Sequence, residues 1–417
     1  MNCVKKYGFL STVFIFLFSA VEAQAVKKVK EWLSPDVTSR KDFYQLFGNT
    51  SLSKKEAKEI SALLLDDANR QLRSALENQW KSKVFVHDND SLKFEYKIFG
   101  HKPIDGRSLY ISMHGGGNAP STVNDRQWKN QIGLYTPAEG VYLAPRAPTN
   151  TWNLWHESHI DTLFDQLIHA AVLFEDVNPN KVYIMGYSAG GDGVYQLAPR
   201  MADYLAAAAM MAGHPNETSP LGLRNIGFTL HMGALDSAYN RNKIAGQWAL
   251  QLDSLQKTDP GGYKHLVQLH DGRAHWMNKE DTVAVSWLAS FRRNTIPKKI
   301  VWKQDDAHHL NFYWLAVPAG SVKTGGEIIA SYSANRISIE KNYSDTLYVR
   351  LNDAMMDLDK KIKLSYEGRT IFKDKVKRNT DIIYKTVAER KDPDLVFSVE
   401  LMIVNEKLVA VNGNVIR

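Results

Sequence analysis

Between residues 83 and 270 the chain alternates short apolar runs with longer amphipathic stretches. The runs are "KVFVHD" (83–88), "LKFEYKIFG" (92–100), "SLYISMH" (108–114), "GVYLAPR" (140–146), "KVYIMG" (181–186), "AAAAMMAG" (206–213), "IGFTLHMG" (226–233) and "HLVQLH" (265–270). Their length and their β-branched and aromatic content predict strands. The first two lie close together, as in an antiparallel hairpin. From the third onward, helical patterns at about 159–175, 189–202, 240–256 and 276–293 separate them. Strand then helix, repeated, predicts an α/β fold: a doubly wound, mostly parallel sheet of about eight strands with helices on both faces.

The pattern differs on either side of this block. Residues 26–50 show no clear period. Ser53 with Glu56 three residues later fits a capping box, and Ile60, Leu64, Ala68, Leu72 and Leu76 then form one apolar stripe on a helix of about 53–80. After "RRNTIPKK" (292–299) the runs become short and strand-like, from "KIVWK" to "VFSVELMIV", with one helical piece near 380–390. That texture predicts a C-terminal β-sandwich. The predicted division is therefore a leader at 1–25, an N-terminal helical segment at 26–80, an α/β domain at 81–297 and an accessory β-sandwich domain at 298–417. The last is expected to be separable from the site. "DDAHH" (305–309), at the junction, reads as a solvated turn.

The leader changes the picture of where the chain works. Lys5 and Lys6 precede the apolar run "YGFLSTVFIFLFSA", and "AQA" (23–25) supplies small residues at cleavage-type positions. That is the pattern of a secretory signal peptide. The run is shorter than the ~20 residues a spanning helix needs, so no stable membrane insertion is expected after cleavage. The only cysteine is Cys3, inside the leader, so disulfides and cysteine metal sites are excluded. An exported, cysteine-free chain points to a bacterial periplasm or exterior. The formal charge of +7 comes from scattered lysines and arginines. Without a basic tract, nucleic-acid binding is not expected; the excess suits a solvated surface or an anionic polysaccharide.

Candidate chemistry gathers at the predicted strand ends. "GYSAG" (186–190) follows a β-branched strand and precedes a helix, the setting in which glycines allow the bend that exposes a serine Oγ. Ser188 is the candidate nucleophile, the alternative being an ordinary glycine turn. "HGGG" (114–117) closes the third strand, and its glycines can turn backbone N–H groups toward a carbonyl oxygen. The Gly116 or Gly117 amide, with that of Ala189, is the candidate oxyanion hole. Asp236 follows the seventh strand and His275 the eighth, giving the chain order serine, acid, histidine of an α/β-hydrolase. For Asp236 a helix N-cap is the alternative, and for His275 the neighbouring His270 is a rival. Asp192 is expected to be a first-turn or pocket carboxylate. His114, Tyr187, Trp152, Trp155 and His156 are candidate substrate contacts, with core packing the alternative for both tryptophans. His156, Glu157, His159 and Asp161 lack metal-site spacing, so neither a metal nor another cofactor is expected.

Through His114 to Gly117, Gly186 to Gly191, Asp236 and His275, residues 80–293 resemble the secreted α/β-hydrolase esterases near the poly(3-hydroxybutyrate) depolymerase and feruloyl/acetyl-xylan esterase group. The resemblance implies hydrolysis of a small ester or esterified polysaccharide through an acyl-enzyme. Two alternatives stay open: a serine peptidase of the prolyl-oligopeptidase type, and a non-catalytic binding protein on a hydrolase scaffold.

Overall fold

The structure is a computed structural model and describes residues 24–48 and 50–416. The expected signal peptide lies outside the described residues apart from Gln24 and Ala25. Among the described residues no helix is long and apolar enough to cross a membrane.

All eight predicted runs are strands: β1 (Val84–His87), β2 (Asp90–Phe99), β3 (Arg107–Met113), β4 (Gly140–Arg146), β5 (Val177–Tyr187), β6 (Ala207–Met211), β7 (Gly227–Gly233) and β8 (His265–His270). They form one sheet in the order β1-β2-β4-β3-β5-β6-β7-β8. β2 runs antiparallel to β1 and β4, and every other pairing is parallel. Strands β4, β6 and β7 are buried at every residue, as a sheet covered on both faces requires. Alternation along β5 divides the two faces. Val182 and Ile184 pack with Leu163, Phe164, Val194 and Leu197 on one side. Tyr183 and Met185 pack with Ala284 and Leu288 on the other. The chain crosses from β4 back over β3 to reach β5, so β3 lies between the two. Met113 stands opposite Gly186 in register. The loops leaving β3 and β5 therefore emerge side by side, where α/β sheets form their ligand crevice.

The helices depart from prediction in three places. Helices Ser158–Glu175, Ala189–Arg200 and Arg241–Thr258 are present as expected. The predicted 276–293 helix is only Val283–Leu288, preceded by a single tight turn at Glu280–Thr282. Asn278 and Lys279 adopt left-handed backbone (φ 53° and 64°), which no right-handed helix continues. A further helix, Ser121–Gln131, connects β3 to β4. The region without a period contains a helix at 24–33 and a second at Phe43–Phe47. Both are too short to show a repeat, and they bury Val29, Phe43 and Phe47 against Ile383 and Val387 near the other end of the chain.

The long helix Lys54–Ser82 starts at the expected capping box and buries Ile60, Leu64 and Leu76. After residue 298 the strands form a five-stranded and a six-stranded sheet, apart from Arg378–Asn379, which pairs with Ser51–Leu52, and there is a helix at Thr380–Arg390. Alternate residues of both sheets, such as Ile328 and Ala330 in one and Val399 and Leu401 in the other, belong to the same buried cluster as Leu109 and Ile184 of the main sheet. Several close pairs cross between the two parts, three of them at 2.6 Å. Arg390 meets Asp203 at 2.6 Å, Asp392 meets Arg293 at 2.6 Å, and His309 meets Asp161 at 2.6 Å. "DDAHH" is thus only partly a solvated turn, since its last histidine anchors on a buried carboxylate. Removing one partner of a buried ion pair is strongly destabilising, so the shared core and these pairs argue against a C-terminal part that can simply be cut away.

Candidate active site

Ser188 stands between β5 and helix Ala189–Arg200 with φ 58° and ψ −122°, a conformation that non-glycine residues seldom hold. Packing enforces it. A Cβ on Gly186 would lie 2.1 Å from the Gly190 carbonyl oxygen, and one on Gly190 would lie 2.2 Å from that of Met113. Glycine at both positions lets the helix start directly against the sheet. The Ser188 N–H donates to the Met211 carbonyl at 2.9 Å. Ser188 Oγ is 3.0 Å from His275 Nε2, and His275 Nδ1 is 2.7 Å from Asp236 Oδ2. Asp236 is buried and His275 is half-exposed. The three side chains form one hydrogen-bonded chain in the expected order. Such a chain can draw a proton from the serine hydroxyl and hold the imidazole in a single tautomer.

The loop carrying His275 is built from β8 onward. Ala234 N–H donates to the His270 carbonyl at 3.0 Å, and Leu235 N–H to that of Arg273 at 2.8 Å. The Tyr187 hydroxyl donates to the His275 carbonyl at 2.6 Å and accepts the Met277 N–H at 3.0 Å. His270 points the other way. It is buried, with Nε2 3.1 Å from His231 Nδ1, and has no contact with Ser188.

Beside Ser188 the glycine loop is fixed by a residue that sequence patterns did not single out. Asn124, buried on helix Ser121–Gln131, accepts the Gly117 N–H at 2.9 Å and donates to the Ala119 carbonyl at 3.0 Å. The Gly117 amide is therefore engaged within the loop, which corrects its candidacy as an oxyanion donor. Gly116 and Ala189 have no such internal acceptor among the described residues. Gly116 has φ 115°, and a Cβ there would lie 2.2 Å from Asn124 Oδ1, so the position requires glycine.

The expected substrate contacts divide. His114 is fully buried, with Nδ1 2.6 Å from the Gly115 carbonyl and Nε2 accepting the Ala147 N–H at 3.1 Å. Burial holds its pKa down at about 4, so it is a neutral brace of the glycine loop and not a substrate contact. Trp155 is also fully buried, and its indole N–H donates to the His114 carbonyl at 3.0 Å; it is a packing residue. His156 is buried, and burial lowers its pKa to about 4. Trp152 is exposed and packs edge-on against the His156 ring. Neither Trp152 nor His156 lines the cleft at Ser188. The Tyr187 ring does line it, while its hydroxyl is committed to the histidine loop. Asp192 accepts the His214 N–H at 2.6 Å, and burial raises its carboxyl to about 6.

That cleft has a volume of about 510 Å³. Gly115, Gly116, Ser188 and His275 form one wall. The others come from Gln127, Asn130 and Leu134, on and just after the unpredicted helix, and from Trp276 and Lys279 on the histidine loop. A larger hollow of about 610 Å³ lies between the N-terminal segment and helix Thr380–Arg390, and none of the site residues line it.

No family model matches the chain, and no curated protein matches it either. Among the solved structures it resembles are esterases. Half of the chain superimposes on a thermostable esterase at 17% identity and TM-score 0.38, spanning 62% of that protein. Esterase 2 of Thermogutta terrifontis matches at 18% identity and TM-score 0.37, over 50% of this chain and 91% of its own. A feruloyl esterase module from Clostridium thermocellum, complexed with sinapinate, matches at 16% identity and TM-score 0.36, over 50% and 86%.

Proposed function

We propose that this chain is an exported serine hydrolase of carboxylic esters. The observation that carries the proposal is the hydrogen-bonded chain Asp236–His275–Ser188, with distances of 2.7 and 3.0 Å. In this mechanism Ser188 Oγ attacks the ester carbonyl carbon as its proton passes to His275 Nε2. Asp236 accepts the Nδ1 hydrogen and stabilises the imidazolium. The amides of Gly116 and Ala189 donate to the oxyanion, and the start of helix Ala189–Arg200 adds a favourable dipole. The tetrahedral intermediate collapses to the acyl-enzyme as His275 returns the proton to the departing alcohol. Water then repeats the sequence and frees Ser188. These steps use no cofactor.

All the proposed catalytic groups fall within residues 81–297, the hydrolase unit of the α/β-hydrolase type. Residues 298–417 form an accessory β-sandwich that braces it. The basic and apolar pattern of residues 1–25 supports export to a periplasm or exterior. Fluorophosphonate labelling and turnover of short aryl esters test the central claim. Ser188→Ala should abolish labelling and lower kcat by roughly 10⁴- to 10⁶-fold with unchanged thermal unfolding. A variant that keeps a tenth of wild-type turnover would sink the proposal.

A further inference from the structure

The cleft beside Ser188 has an uneven charge. None of its lining residues is a carboxylate, and apart from His275 its single basic side chain is Lys279. Lys279 makes no ion pair among the described residues, although two acids follow it directly. Glu280 is held by Arg273, with Nε at 2.8 Å from Oε1. Asp281 is buried and accepts the Tyr135 hydroxyl. The ammonium therefore faces the cleft and solvent, with the buried Asp281 attracting it from behind without a direct ion pair.

The backbone that presents it is unusual. Asn278 and Lys279 are consecutive non-glycine residues in left-handed conformation, and held strain of this kind concentrates at functional sites. The same short loop carries Trp276, which remains 48% exposed at the cleft despite its large apolar surface. Across the cleft, Gln127 and Asn130 offer uncharged amides. The resulting surface has an aromatic plate, neutral hydrogen-bonding groups and one unpaired cation, with no anion to repel an acid. A planar group bearing a carboxylate matches all three.

We propose that the ester substrate places an acidic planar group, an aromatic ring bearing a carboxylate, in this cleft, with Lys279 as the residue that recognises the carboxylate and Trp276 as the surface beneath the ring. The proposal rests on the esterase reading and names the substrate class of that same site. The carboxylate can belong to the acyl group or to the alcohol, and the test separates the two.

Two probe pairs, each an acid and its neutral amide twin, are compared by kcat/KM. For the acyl side the pair is 4-nitrophenyl 4-carboxybenzoate and 4-nitrophenyl 4-carbamoylbenzoate. For the alcohol side it is 4-acetoxybenzoate and 4-acetoxybenzamide. The wild-type protein should prefer the acid in one pair by roughly ten- to a hundredfold, the range for a hydrogen bond to a charged group. The preference should shrink as salt is added. Lys279→Met should bring the acid-to-amide ratio close to one, and Lys279→Arg should restore most of it. Turnover of both members at equal rates in both pairs would overturn this proposal alone, as would a preference that survives Lys279→Met. Failure to hydrolyse any of the four esters, with no fluorophosphonate labelling of Ser188, would overturn the esterase reading and this proposal with it.

Discussion

Around Ser188 the backbone has no room to move. Its neighbours at 186 and 190 approach other backbone atoms so closely that even a methyl group would collide. Around His275 the backbone is tight at one edge, where a Cβ on Gly233 would lie 1.9 Å from the Ala274 carbonyl oxygen, and polar contacts do the rest of the holding. Two hydrogen bonds from the Tyr187 hydroxyl, an exposed Arg273–Glu280 pair and two loop amides keep the imidazole in place. The proposed nucleophile is thus positioned by steric exclusion, and the proposed base in larger part by polar contacts that can be removed one at a time. A site assembled this way should fail abruptly on one side and gradually on the other.

The sharpest test of that difference is Gly190→Ala. Its Cβ would fall 2.2 Å from the Met113 carbonyl oxygen, so strand and helix must separate. The expected cost is about 3 kcal/mol or more in stability, together with loss of fluorophosphonate labelling. Wild-type unfolding and turnover in this variant would show that the elbow has slack. Next in size is Tyr187→Phe, which strips the histidine loop of both hydroxyl bonds and leaves the buried Met277 N–H without its acceptor. It should cost about 1–3 kcal/mol, and kcat should fall roughly ten- to a hundredfold through misplacement of the imidazole. An unaltered kcat would mean that the loop holds itself.

Acid should probe both sides at once. His114 braces the glycine loop, and His231 contacts His270 at the base of the histidine loop. Burial lowers their pKa values to about 4 and about 3. Groups depressed in this way stay neutral in the folded chain while the unfolded chain takes up protons below about 6.5. Their contribution is complete above that pH and is lost as pH falls toward the folded values. Each should steepen the decline by about 1.4 kcal/mol per pH unit. His231→Asn should make the stability profile between pH 6 and pH 4 shallower by that amount in denaturant titrations; an identical slope would contradict the assignment. The smallest effect is expected from Glu280→Gln. Its partner Arg273 is also solvent-accessible, so a melting shift under about 2 °C and a kcat within about threefold of wild type should result. A larger drop in kcat would promote this exposed pair to a main support of the loop.

The strands are legible because β-branched runs bounded by turn residues have few other uses, and the meeting of Ser188, Asp236 and His275 is legible because each follows one of those strands. Helix Ser121–Gln131 is not. Its buried residues are Asn124 and Gln131, both polar, so no apolar stripe marks it, and with it went the far wall of the cleft. The choice between Gly116 and Gly117 depends on the Asn124 carbonyl oxygen from that same helix. Trp152 and Trp155 lie three apart in one loop, one exposed and one fully buried. Nothing in a loop's periodicity can separate them, because loops have none. The final helix was extended too far for a similar reason. Trp276 and Met277 suit a helix, but the left-handed pair after them, Asn278 and Lys279, ends it.

The pairing of Asp203 with Arg390 bears on the order in which the molecule can be completed. The two residues are 187 positions apart, and synthesis at about 5–20 residues per second separates their appearance by on the order of 10–40 s. Throughout that interval the half-made sheet carries a carboxylate whose partner does not yet exist. The helix at 24–33 likewise waits for Ile383 and Val387, which are made far later. Contacts this distant in sequence make folding slow. Both contacts therefore close only after their later partners have been made, and the surfaces they bury stay exposed to solvent until then.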